Sequence, residues 1–149
     1  MIDTYDLHAS LGYQMSVTAR LLERGFETRL KEIGLTRITW CILLAVGPQK
    51  LSQPSEIADF VGIDRTATSR ALRQMEAAGL IDRATGDKDK RTTLVKLTPA
   101  AHEKLTQSSD HAADNAAHFN NKLTPEESAN LRVLLTKLRA DEDDPLLRL

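Results

Sequence analysis

The chain has 149 residues, 41% hydrophobic and 28% charged, with 7 glycines and 5 prolines. That is enough apolar material for one core and too much for a disordered chain. Twenty Lys and Arg against 21 Asp and Glu leave a formal charge of -1, which excludes a polycation that coats nucleic acid by bulk charge, so any nucleic-acid contact must come from local clustering. The single cysteine, Cys41, excludes an intrachain disulfide and fits a reducing compartment. No apolar run approaches the ~20 residues of a membrane span, and acidic Asp3 and Asp6 stand where a signal peptide is basic. A cytoplasmic protein with no membrane partner is expected.

Leu7, Leu11, Met15, Leu22, Phe26, Leu30 and Ile33 recur at helical spacing and predict one long amphipathic helix ending before Gly34. Thr36 caps a second, mostly buried helix carrying Ile38, Cys41, Ile42, Leu44 and Ala45, closed by Gly47 and Pro48. Pro54 opens a short third helix that stops at Gly62, and Asp64 caps a fourth that runs to about Ala78 with Gly79 as its stop. From Leu80 to Leu97 an apolar pair, a polar run from Asp82 to Thr92 and the alternation of Thr93, Val95 and Leu97 predict a two-stranded hairpin with a long charged tip. Thr98-Pro99 starts a fifth helix of roughly twenty residues. Thr124, Pro125 and Glu127 form a capping box for a sixth that ends near Arg139. The tail is acidic from Asp141 to Asp144, and its Leu146, Leu147 and Leu149 either wrap a partner or fray.

On a helical wheel the fourth helix puts Thr68, Ala71, Leu72, Met75 and Ala78 on one side and Thr66, Ser69, Arg70 and Arg73 on the other. A short helix, a tight turn and a helix with a donor-rich face fit the DNA major groove, where Arg reads guanine acceptors. Between Arg65 and Arg91 seven basic residues face four acidic ones, and Lys88, Lys90 and Arg91 on the hairpin tip can reach phosphates or a flanking minor groove.

Asp64-Arg65-Thr66 through Met75-Glu76, Gly79-Leu80-Ile81 with Arg83, Asp89-Lys90-Arg91 and Leu97-Thr98 resemble the signature of MarR-type winged helix-turn-helix regulators. Leu11-Gly12-Tyr13, Gly34-Leu35-Thr36 and Trp40 extend the resemblance over most of the chain. It implies a mainly α fold with a small β-hairpin wing, as one domain over 1–149. A winged helix-turn-helix lobe occupies 36–98, and dimerisation helices occupy 1–35 and 99–149. It implies a homodimer that binds double-stranded DNA at a pseudo-palindromic operator, usually as a repressor, and is released by a small-molecule effector. Carried over residue by residue, it places Thr66, Ser69, Arg70 and Arg73 on the recognition helix beside Arg65, and Arg91 on the wing with Asp89 as the acidic partner that orients it. The sequence departs from the pattern at Thr68, where an aliphatic residue is usual, and at Lys90, where Arg is commoner. A hydroxyl at Thr68 can bond back to the preceding turn. More apolar stripe on the first, fifth and sixth helices than a small lobe can cover argues independently for a dimer.

By position in the resembling fold, His8, Tyr13, Arg37, Trp40 and His111 are candidate effector-pocket residues suited to an aromatic or carboxylate ligand; packing is the alternative for each. Cys41 is either a thiol sensor or an inert half of the second helix's apolar face, since resembling sensors carry their reactive cysteine near the start of the first helix. His111, Asp114 and His118 fall within about 60° on the fifth helix, but without a further ligand they read as a solvated face, so no metal or cofactor is expected. No Gly-rich phosphate loop or nucleophile elbow indicates an enzyme. The competing reading is a winged-helix protein-protein interaction module that does not bind DNA.

Overall fold

The computed structural model describes residues 4–86 and 92–142. Six helices and one hairpin follow in chain order: α1 (Leu11–Glu32), α2 (Arg37–Val46), α3 (Pro54–Val61), α4 (Arg65–Ala77), β1 (Ile81–Thr85), β2 (Thr93–Leu97), α5 (Pro99–Asn120) and α6 (Pro125–Arg139). Side-chain caps set most starts. Thr36, Asp64, Thr98 and Thr124 each accept a backbone N–H of the first turn, and at Thr36 and Thr124 the third residue returns the bond in a full capping box. The first helix begins later than the Leu7 stripe predicts, because Ser10 takes the cap by accepting from Tyr13 N–H while residues 7–9 form a turn.

The core lies where α1, α2, α3, α4 and the hairpin meet. Leu30, Ile42, Leu43, Ile57, Leu72, Met75, Ile81 and Val95 are fully buried in it, and at roughly 1.5–3 kcal/mol per buried aliphatic side chain they supply most of the lobe's cohesion. The core reaches beyond 36–98, for Phe26 and Leu30 of α1 and Ala101 of α5 belong to it. Two expected core residues do not. Ile38 on α2 is 40% exposed, since the first turn of α2 projects past its neighbours, and Ala78 is exposed because it is the C-cap of α4, beyond the last turn that packs.

The wing pairs Ile81 with Leu97 through Thr85 with Thr93 in antiparallel register. Val95 N–H also donates to Ser52 C=O at 2.8 Å, tying the wing to the segment between α2 and α3. β1 takes in Asp82–Thr85, the first part of the expected polar run.

Coverage ends at the terminal helices. α6 has no buried residue, Leu131, Val133, Leu134 and Leu138 are between 46% and 55% exposed, and Leu11 and Met15 in the N-terminal half of α1 are exposed too. Between them Met15, Leu22, Leu131 and Leu135 line an apolar groove of about 320 Å³. Among the described residues no helix is long and apolar enough to cross a membrane.

Candidate nucleic-acid interface

The turn from α3 into α4 is three residues long and built on Gly62, whose φ of 79° is left-handed and closes α3 at no steric cost. Ile63 buries its side chain, and Asp64 accepts from Ala67 N–H at 2.7 Å to start α4. Thr68, Ala71, Leu72 and Met75 then anchor one face of α4 in the core. Thr68 is buried, and its hydroxyl donates to Asp64 C=O at 2.8 Å, so the polar atom at this otherwise aliphatic position is satisfied inside its own helix.

The anchored face decides what faces out. Arg65, Thr66, Ser69, Arg70 and Arg73 are all exposed, and none of the three arginines pairs with a carboxylate among the described residues. Unpaired guanidinium groups on a rigid, capped helix are available to an outside acceptor without a prior bond to break. Of the wing candidates, Lys88, Asp89, Lys90 and Arg91 lie outside the described residues.

Glu76 and Arg83, quoted in the sequence only as part of a pattern, form a clamp between the end of α4 and β1. Arg83 donates from Nε to Glu76 Oε2 at 2.9 Å and from a terminal N–H to Oε1 at 3.3 Å. This hydrogen bond holds the Glu76 carboxyl below its ordinary pKa and lifts the Arg83 guanidinium above its own. The pair links β1 to the end of α4.

Sequence reasoning placed the start of α3 correctly at Pro54 but did not single it out as part of the site. Gln53, its N-cap, makes no side-chain cap bond, so the Ser55 and Glu56 amides, the first that this proline-started helix has, receive no cap from it. Two shallow clefts flank this end, one of about 230 Å³ beside Ser55, Arg65 and Ser69 and one of about 300 Å³ beside Gln53, Thr92 and Thr93. The one sequence signal was a proline start with no Ser, Thr, Asp or Asn before it.

The five candidate effector residues disperse into four places. His8 and Tyr13 stack on each other at 4.7 Å near the start of α1. Trp40 meets the Phe26 ring edge-on at 4.7 Å, and its indole Nε1 is buried with no hydrogen-bond partner among the described residues. His111 is half-buried on α5. Arg37 instead bonds Glu23 at 2.5 Å and borders a separate groove of about 650 Å³ between α1, α2 and α3, whose wall includes the half-buried Cys41. Burial raises the Cys41 thiol pKa more than Arg37 lowers it, which leaves the thiol protonated at neutral pH. Asp114 pairs with Arg29 at 3.6 Å, and among the described residues no three His, Cys, Asp or Glu side chains gather as metal ligands.

Two long helices flanking a lobe of three short helices and a hairpin define a winged helix-turn-helix protein with the fold of a transcriptional regulator. The model of the MarR family matches residues 33–92, from the last residue before Gly34 to the foot of β2, and the fold of the chain is that of the winged-helix regulators it resembles. Among solved structures, the organohalide-sensing regulator RdhR in its 2,4-dichlorophenol-bound form is similar at a TM-score of 0.83 and 23% identity, over 97% of this chain and 85% of that one. MarR of E. coli, as a cysteine-to-serine mutant complexed with operator DNA, is similar at 0.79 and 24% identity, over 90% and 99%. BpsR of Bordetella bronchiseptica, whose DNA binding is regulated by 6-hydroxynicotinic acid, is similar at 0.82 and 20%, over 93% and 99%.

Proposed function

We propose that this chain is a sequence-specific DNA-binding transcriptional regulator, a cytoplasmic homodimer that represses from a pseudo-palindromic operator and lets go when a small molecule binds. The observation that carries the reading is the outer face of α4. Arg65, Thr66, Ser69, Arg70 and Arg73 are exposed on one side of a helix whose other side is locked in the core. Arg70 and Arg73 read bases in the major groove. Arg65, with Ser55 and the free amides at the start of α3, seats a backbone phosphate, and Lys88, Lys90 and Arg91 with Asp89 serve the wing.

The dimer is supported by α6. A 15-residue helix with no buried residue is marginal alone in water, and a second copy that covers Leu131, Leu134 and Leu138 supplies what its own chain does not. In that arrangement 36–98 is the reading lobe, with 1–35 and 99–149 as the dimer helices. Two-fold symmetry sets the half-sites about 10 base pairs apart. An effector at the α1–α2–α5 seam, near Trp40 and His111, is favoured by the buried and unpartnered Trp40 Nε1, because an acceptor on the ligand recovers the roughly 1–3 kcal/mol that an unpaired buried donor costs.

The test is selection of bound fragments from sheared source-organism DNA at about 0.15 M salt, with an Arg70→Ala, Arg91→Ala double mutant as control. A shared palindrome that the mutant loses is the expected result. No enrichment by the dimer, together with retention of a protein partner from cell extract by both forms, overturns the reading in favour of an interaction module.

A further inference from the structure

We propose that Thr98 and Lys104, at the start of α5, are positioning residues for DNA recognition, a role that rests on the DNA-binding reading. Lys104 ties α5 to the end of α1 and Thr98 ties it to the end of α4. The stretch between them is a strut that sets the reading helix against the long helix.

α1 and α4 end alike. Gly34 and Gly79 have left-handed φ values of 77° and 75°. In each turn the N–H after the glycine bonds five residues back, Leu35 to Leu30 C=O at 2.8 Å and Leu80 to Met75 C=O at 2.9 Å. Each turn also leaves a carbonyl with no backbone donor among the described residues, Ile33 in the first and Gly79 in the second, and such carbonyls at a helix end call for a donor from elsewhere. The start of α5 supplies both. Half-buried Lys104 donates from Nζ to Ile33 C=O, with its charge at the negative end of the α1 dipole, and it pairs with no carboxylate among the described residues. The Thr98 hydroxyl donates to Gly79 C=O at 2.7 Å, and the Thr98 N–H donates to Leu80 C=O at 3.0 Å.

The strut is also seated from below. α2 ends at Gly47, whose φ of -75° does not itself require glycine. Close approach does, since a Cβ there would meet Leu105 Cδ2 at 2.9 Å and Leu97 Cδ1 at 3.1 Å. Leu97 and Leu105 flank the two bonded residues in sequence, so the start of α5 rests on α2 with no room for a methyl group. Neither Thr98 nor Lys104 lies on the outer face of α4, and any effect they have on DNA runs through the placement of that helix.

The test titrates full-length variants against the operator that the wild type selects and against a scrambled duplex, by fluorescence anisotropy. Lys104→Met removes the donor and Lys104→Arg keeps one. Thr98→Asp keeps an acceptor for the Ala101 N–H that Thr98 caps but has no hydroxyl to give Gly79, whereas Thr98→Ser keeps both. Lys104→Met and Thr98→Asp are each expected to lose about 3- to 30-fold in operator affinity, with scrambled DNA held within about twofold of wild type because that binding is phosphate neutralisation. Lys104→Arg and Thr98→Ser are expected to restore operator binding. In the double variant Lys104→Met, Thr98→Asp the operator loss should not exceed the larger single loss, because a strut freed at one end transmits nothing, while the two falls in melting temperature add. Additive operator losses, no recovery in the conservative variants, or equal losses on both duplexes in Lys104→Met, the mark of a phosphate contact, each overturn the strut. A wild type that selects no operator refutes the DNA-binding reading and the strut with it; a wild type that selects one, matched by all four single variants, refutes the strut alone.

Discussion

Replacing Arg70 by Ala separates a reading contact from a structural one. Its side chain is exposed on the second turn of α4 and makes no hydrogen bond or ion pair among the described residues, so the stability change should stay within about 0.5 kcal/mol. If Arg70 makes a bidentate contact with a guanine, each half-site loses about 1–3 kcal/mol of discrimination. A symmetric dimer loses it twice, about 2–6 kcal/mol, or between about 30-fold and 10⁴-fold in affinity for the selected operator. Random DNA should be bound almost as before, since that binding comes from phosphate neutralisation. Fluorescence anisotropy on labelled operator and scrambled duplexes, from about 0.05 to 0.2 M salt, reads both quantities. Arg65→Ala is the counterpart: it should weaken both duplexes alike and flatten the salt dependence by about one ion per half-site. Equal losses on operator and scrambled DNA in Arg70→Ala would show that Arg70 is only a phosphate contact, and no loss on either would remove α4 as the reading element.

Asp64→Ala removes the cap bonded to Ala67 N–H at 2.7 Å; a cost of about 1 kcal/mol is expected, seen as a melting temperature about 2–4 °C lower. Gly79→Ala meets no atom within 4 Å, yet φ is 75° there, so a similar loss of about 1–2 kcal/mol should come from backbone strain alone; an unchanged melting curve would mean the turn is not held. Glu127 has its carboxyl pKa lowered by accepting the Thr124 backbone N–H. Its contribution is therefore complete above the ordinary carboxylate range and lost as pH falls through its depressed folded value, which circular dichroism of wild type against Glu127→Ala should show as a difference that vanishes in acid. Cys41, with its pKa raised by burial, should alkylate more slowly than in the urea-unfolded chain at pH 8 and catch up only as pH rises past the ordinary thiol range; equal rates at pH 8 would contradict the burial.

The parts of the fold set by local chemistry were legible in the sequence. Thr36, Asp64, Thr98 and Thr124 cap where short polar side chains precede apolar periodicity, and Gly62 and Gly79 end helices where a left-handed residue is needed. Ser10 escaped notice because Leu7 happens to sit one helical repeat before Leu11, so the stripe runs on past the real start. The hairpin was legible, but the extent of β1 was hidden because only Ile81 of its five residues is buried. A strand exposed on both faces shows no alternation, and its pairing is announced by β2 instead. The face of α4 followed from the wheel, since one helix suffices to define it. The groove at Lys31, Ile38 and Cys41 depends on how α1 crosses α2, a tertiary fact that no local pattern encodes. For the same reason Asp114, aligned with two histidines on a wheel, turns out to pair with Arg29 across the α1–α5 contact.

The long first helix joins the two halves of the proposed mechanism. Its C-terminal half belongs to the lobe, with Phe26 and Leu30 buried in the core, and its N-terminal half, with Leu11 and Met15 exposed, runs out beside α6. A 22-residue α-helix has no interior glycine or proline kink unless Gly12 or Gly25 provides one, and Gly25 is held against Asn115 of α5 while Asn115 donates to Leu22 C=O at 2.9 Å. The helix thus runs unbroken from the exposed apolar face at Leu11 and Met15 into the lobe core at Phe26 and Leu30. In the proposed dimer, a change in lobe orientation is expected to work through the α1–α2 contact. Arg37–Glu23, Trp40 on Phe26 and the groove beside Cys41 all lie along that contact. On the proposed reading, an effector beside α2 is expected to act by shifting α4, and half-site spacing on DNA is the quantity such a displacement changes.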